Sequence, residues 1–139
     1  TNNLSESVKF RRDEIAILKT LYAANPANPW DLGQSLGGAY RNLARLHVLS
    51  SDLPAAIEAG HASLSFFETL VAHDGTNVKW RYSYARTQAL MIETYRRAGR
   101  GEDVARLREK LALNLEILGP AGEIGEAGMI EQFQLNNGD

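Results

Sequence analysis

Residues 24–38, ANPANPWDLGQSLGG, and residues 73–87, HDGTNVKWRYSYART, share one order of events. Each passes an Asn-containing polar turn, reaches a Trp, and enters an apolar run of helical period. Trp30 and Trp80 stand 50 residues apart. A chain that writes the same punctuation twice at that interval is built from a repeated unit. Periods of this size belong to stacked supersecondary elements that cannot bury their apolar faces alone.

The periodicity says which elements these are. Between the Pro- and Gly-containing boundaries the apolar residues recur at steps of three and four, the signature of amphipathic helices. A first helix is expected from about Leu4 to Ala23, with Val8, Ile15, Leu18 and Tyr22 on one face. ANPANP ends it, because Pro and the residue before it resist helical geometry. A second spans about Asp31 to Leu49, carrying Leu32, Leu36, Tyr40, Leu43, Leu46 and His47. Ser51 or Asp52 then caps a third, about Leu53 to Ala72, with Pro54 in its first turn. Thr76 or Asn77 caps a fourth, about Val78 to Ala98. The fifth starts near Glu102 and ends at Leu118, and a weaker sixth is expected from Ile124 to Leu135. Val, Ile and Thr never form alternating strings, so no sheet is expected.

Aligned, the helices read B, A–B, A–B and a tail. Residues 4–28 form helix B of a partial repeat, 29–77 and 78–118 two full repeats, and 119–139 an acidic, Gly-containing tail or cap. At 139 residues this is one domain's length. Each Trp is expected to wedge between successive hairpins. The chain opens on Thr and enters a helical pattern almost at once, and is read as a piece of a longer protein.

Bulk chemistry removes several functions. There is no cysteine, which excludes disulfides, thiolate nucleophiles and cysteine-based zinc sites, and fits a reducing, cytoplasmic compartment. A net charge of −2 offers no general attraction to nucleic acid or to an anionic membrane. No apolar run reaches the roughly 20 residues of a membrane span. His47, His61 and His73 fall on different segments without an HExxH pattern, so no metal site is expected, and His47 is read as a packing residue. There is no GxSxG motif, and no catalytic residue or cofactor is assigned. Gly119, Gly122, Gly125 and Gly128 recur every three residues, but without proline richness or a preceding strand they read as a flexible connection.

The segment YRNLARLHVLSSDLPAAIEAGHASL resembles a tetratricopeptide repeat. Tyr40, Leu43, Ala44 and His47 stand where that family places its helix-A aromatic, Leu, small and aromatic residues. Ser51-Asp52 stands for its Gly-Asp turn, and Ala56 and Ile57 for the opening of helix B. ALMIETYRRAGRGEDVARL is similar, through Tyr95, Gly99 and Val104, and the Asn-containing turns before each Trp resemble longer-period bacterial repeats. Ile92, Gly60 and the period depart from the family pattern. The resemblance implies an all-α fold: antiparallel hairpins stacked as a short right-handed α-solenoid, five long helices and a short C-terminal one. It also implies a non-catalytic protein-binding or scaffolding module.

Charge then suggests what such a groove would hold. Lys79 to Lys110 contains nine basic residues against four acidic, while Leu111 to Asp139 contains five acidic and no basic ones. In tetratricopeptide arrays the solvent side of helix A lines the concave groove. The matched register puts Arg41, Asn42, Arg45, Arg86, Glu93, Arg96 and Arg97 there. Arginine forks suit carboxylates, so a peptide or protein partner, including an acidic one, is the expected ligand. The competing use is solubility, with the arginines paired to Glu93 and Glu102. The tail carries Ile124, Met129, Ile130 and Phe133 at helical spacing. It is expected to cap the last hairpin, or else to lie in a groove, its own or that of a second copy in a homo-oligomer.

Overall fold

The computed structural model describes residues 2–136, so the tail's last residues, 137–139, lie outside the described structure. Among the described residues there is no strand. Helix α1 runs Asn2–Ala24, α2 Trp30–Leu49, α3 Leu53–His73, α4 Val78–Arg97, α5 Gly101–Leu118 and α6 Gly125–Glu131. A short 3₁₀ turn, Gly119–Gly122, separates the last two. Neighbours in sequence pack as neighbours in space, so the helices form a stack of hairpins, with α4 also meeting α2 and α6.

Local chemistry sets the boundaries. Asp52 Oδ1 accepts from Ala55 N at 3.2 Å and Pro54 sits in the first turn of α3, while Asn77 Oδ1 accepts from Trp80 N at 3.0 Å to open α4. Both side chains satisfy amides that the first helical turn leaves orphaned. Gly99, just past α4, adopts a left-handed φ of 72° that a side chain would strain.

The two Trp residues meet at one junction. Trp30 stacks on His73, ring centroids 3.6 Å apart, and His73 lies 6.4 Å from Trp80. The indole of Trp80 donates to Gln34 Oε1 at 2.8 Å, binding the start of α4 to the start of α2. The expected wedge is therefore a layered one, with a histidine between the indoles.

The core has two larger parts. Ile15, Leu36, Leu43, Val48 and Leu90 form one, joined by Phe133 and Leu135 of the tail. Ala85, Met91, Ile92, Leu107, Leu111 and Met129 form the other, between α4, α5 and α6. Ser63, wholly buried, bridges α2, α3 and α4: its hydroxyl donates to Gly37 O at 2.7 Å and meets Thr87 Oγ1 at 3.3 Å. Close approach also depends on absent side chains. A Cβ at Gly37 would sit 2.8 Å from the Phe67 ring, and one at Gly60 would drive into Met91.

His47 is buried at the α1–α2–α3 boundary, in keeping with a packing role. Burial holds its imidazole below the ordinary histidine pKa of 6.5, opposed by Asp52 and Glu58 and assisted by Arg12. The folded chain thus binds fewer protons at this site than the unfolded chain does. Its contribution to stability is complete above pH 6.5 and is lost as the pH falls through the lower, folded pKa. Thermal melts are expected to show a midpoint that declines from pH 7.5 to pH 5, with a shallower decline in His47→Gln. An unchanged slope in that variant would remove His47 from the acid response.

The sixth helix differs from its expected span. It covers Gly125–Glu131 rather than 124–135, because Gly125 takes a φ of 69° and Gln134 one of 51°, both off the helical path. The turn at Gln134 lets its neighbours Phe133 and Leu135 both enter the core while Gln134 stays exposed.

Candidate functional site

The face shared by α2 and α4 carries most of the residues expected to line a groove, and part of the tail lies on it. On α2, Gln34, Arg41 and Arg45 follow one another at helical spacing; on α4, Ser83, Arg86, Glu93 and Arg97 do the same. The tail engages three of the seven expected residues directly or across a stacked ring. Arg45 Nε donates to the backbone carbonyl of Phe133 at 2.5 Å. The guanidinium of Arg86 stands over the Phe133 ring, 5.2 Å from its centroid. Arg97 Nη2 donates to Asn136 Oδ1 at 2.9 Å. Glu93 and Arg97, together with Arg96, border a cleft of about 520 Å³ whose other wall is Ile130, Glu131, Gln134, Leu135 and Asn136.

The remaining expected residues sit differently. Glu93 is buried and accepts from both Arg96 and Arg97, the latter at 2.8 Å, so the expected Glu93 pairing occurs within α4 itself. Arg96 is exposed on the outer side of that pair. Asn42 faces α1 instead, lining with Arg45 a second cleft of about 470 Å³ bordered by Glu6, Phe10 and Arg11. Arg100, not the α4 arginines, takes Asp103, and the second expected acid, Glu102, has no salt bridge among the described residues.

Arg41 is half-buried between α2, α3 and α4. It donates to Ser83 O at 3.4 Å and stacks over Phe67 at 5.7 Å, while its Nε is buried without a hydrogen-bond partner. Burial, and then the charge of Arg86, bring its pKa down from the ordinary arginine value to about 10. Arg86 likewise has a buried Nε with no partner. Neither arginine has an acidic partner among the described residues.

The tail has two parts, one packed on the last hairpin and one beyond it. Helix α6 covers the last hairpin, with Met129 wholly buried against α4 and α5. The chain then leaves the helix, meets α2 and α4 at Phe133 and meets the end of α4 at Asn136. Arg108, which pairs with Glu126 at 3.0 Å, ties the start of α6 to α5. Sequence reasoning missed Gln34, Phe67 and Ser83 as parts of this face. Gln34 shares the helical row of Arg41 and was available as a signal; Phe67 and Ser83 offered none, being joined to Arg41 only through the fold.

Another polar chain lies on the far side of α4. Arg81 Nη1 donates to Asn114 Oδ1 at 3.1 Å, and Asn114 Nδ2 to Gln88 Oε1 at 3.0 Å. It fixes the register of α5 on α4 and opens to no cavity described above. Among the described residues no three His, Cys, Asp or Glu gather as metal ligands, and no helix is long and apolar enough to cross a membrane. No protein-family model matches the chain, and no curated protein or solved structure is significantly similar to it.

Proposed function

We propose that this chain is a non-catalytic protein–protein interaction module that takes a peptide segment into the groove between α2 and α4. The observation that carries the reading is the tail itself. Residues 133–136 are a short non-helical peptide lying across helix faces, held by an arginine on a main-chain carbonyl, an arginine on a side-chain amide and a buried aromatic ring. These are the contacts through which a peptide partner is recognised: polar groups fix its path and an apolar anchor fills a pocket. The resemblance to tetratricopeptide repeats points the same way, toward a cytoplasmic scaffold of bacterial type.

The test vacates the groove and refills it. A chain carrying Phe133→Ala and Leu135→Ala is titrated with a labelled synthetic peptide of residues 128–136, following anisotropy, helical circular dichroism and mass by light scattering. Saturable one-to-one binding is expected, with any helicity lost to the substitutions restored by the peptide. Absence of binding, whether or not the variant stays helical, overturns the reading. The same groove serves self-association if the unmodified chain is a dimer that the peptide dissociates, the tail of one copy then being the ligand of another.

A further inference from the structure

We propose that Arg41 and Arg86 together form a receptor for one side-chain carboxylate of a bound peptide, taken in beside the ring of Phe133 or of the aromatic residue that replaces it. The proposal rests on the groove reading above and specifies its ligand. Arg41 reaches the carbonyl of Ser83, which lies one turn before Arg86 on α4, so the two guanidiniums share one stretch of the groove. Each keeps a buried Nε–H without an acceptor. Buried donors are ordinarily satisfied, and two like charges held close together, one against Phe67 and the other against Phe133, cost free energy unless an anion joins them.

The chain does not supply that anion from its described residues. Glu93, the acid on the same row of α4, is already occupied by Arg96 and Arg97. The tail presents Gln132-Phe133-Gln134-Leu135, with carboxamides and no carboxylate on either side of the aromatic anchor. The other contacts in this groove are made to peptide groups, a backbone carbonyl and a carboxamide. The ligand that completes the set is therefore a peptide with an Asp or Glu beside an aromatic residue. A carboxylate can accept from two forked guanidiniums at once, and such charged bonds are about twice as strong as neutral ones.

The experiment compares two probe peptides on the full chain: acetyl-Glu-Phe-Glu-Leu-amide and its Gln-Phe-Gln-Leu counterpart, which copies the tail. Binding is read by calorimetry and by the Nε–Hε signals of Arg41 and Arg86 in nuclear magnetic resonance. The acidic peptide is expected to bind about tenfold more tightly or better, moving both signals. Arg41→Gln and Arg86→Gln should each abolish the preference, and the double variant should add nothing. Arg86→Lys, which keeps the charge and loses the fork, should retain part of it and guards against a variant that fails to fold. Equal binding of both peptides overturns the carboxylate receptor and leaves the groove reading standing. Binding of neither peptide, with glutarate alone still moving both arginine signals, supports the anion site and overturns the groove reading. Binding of neither peptide and no response to glutarate overturns both.

Discussion

Phe133→Ala is expected to destabilise the chain by about 3 to 5 kcal/mol, the cost of removing a phenyl ring from a well-packed site. Segments that follow the last helix of a stack and have no regular structure of their own ordinarily bury little and tolerate substitution. Here the ring is 3% exposed and belongs to the same cluster as Leu36, Leu43, Val48 and Leu90. Three further contacts converge on it: Arg45 on its carbonyl, Arg86 over its face and Leu135 beside it in the core. Against a total stability of about 5 to 15 kcal/mol, the loss is a large fraction of the whole and should lower the midpoint of urea unfolding by more than about 1 M. A change below about 0.5 kcal/mol would mean that the tail rests on the surface and that the α2–α4 face stands open in solution.

Gly60→Ala is the second large effect, and its sign opposes the usual rule. In the middle of a helix, replacing Gly by Ala is ordinarily worth about 1 kcal/mol of stability. At Gly60 the added carbon would meet the thioether of Met91, whose side chain is wholly buried and has no exit to solvent. Overpacking of this kind costs about 1 to 3 kcal/mol, so the substitution is expected to be net destabilising. Met91→Ala alone should cost about 2 to 5 kcal/mol through the cavity it leaves. Combined, the two changes should be less harmful than their sum, with a coupling of about 0.5 to 3 kcal/mol. Additive effects would show that α3 and α4 do not interlock at this point.

Much of the architecture could be read from the residues because its signals are local. Asp52 and Asn77 announce two helix starts through side chains that reach amides three residues on, and Asn-Pro turns close α1. The tail was harder for a physical reason. Gly122, Gly125 and Gly128 dilute its helical period, and the turn at Gln134 breaks the spacing that would link Phe133 and Leu135 to a face. Gly60 read as a departure from a repeat pattern, since nothing local says that Met91, thirty-one positions later, occupies the missing volume. Arg41 read as a solvent-facing groove residue; its burial depends on Phe67 and Ser83, which only the folded chain brings to it.

The stacked rings at the start of the second hairpin make the protein's optical signal a local one. Trp30 and Trp80 are its only two tryptophans, and both border His73. Indole emission therefore watches a single corner of the molecule, remote in sequence from the tail, while far-ultraviolet ellipticity averages over every helix. A tail that detaches in a step of its own would leave the emission curve unmoved at first and shift it only when the hairpins part. The separation between two denaturation curves, each simple to record, would then count the cooperative units in this chain.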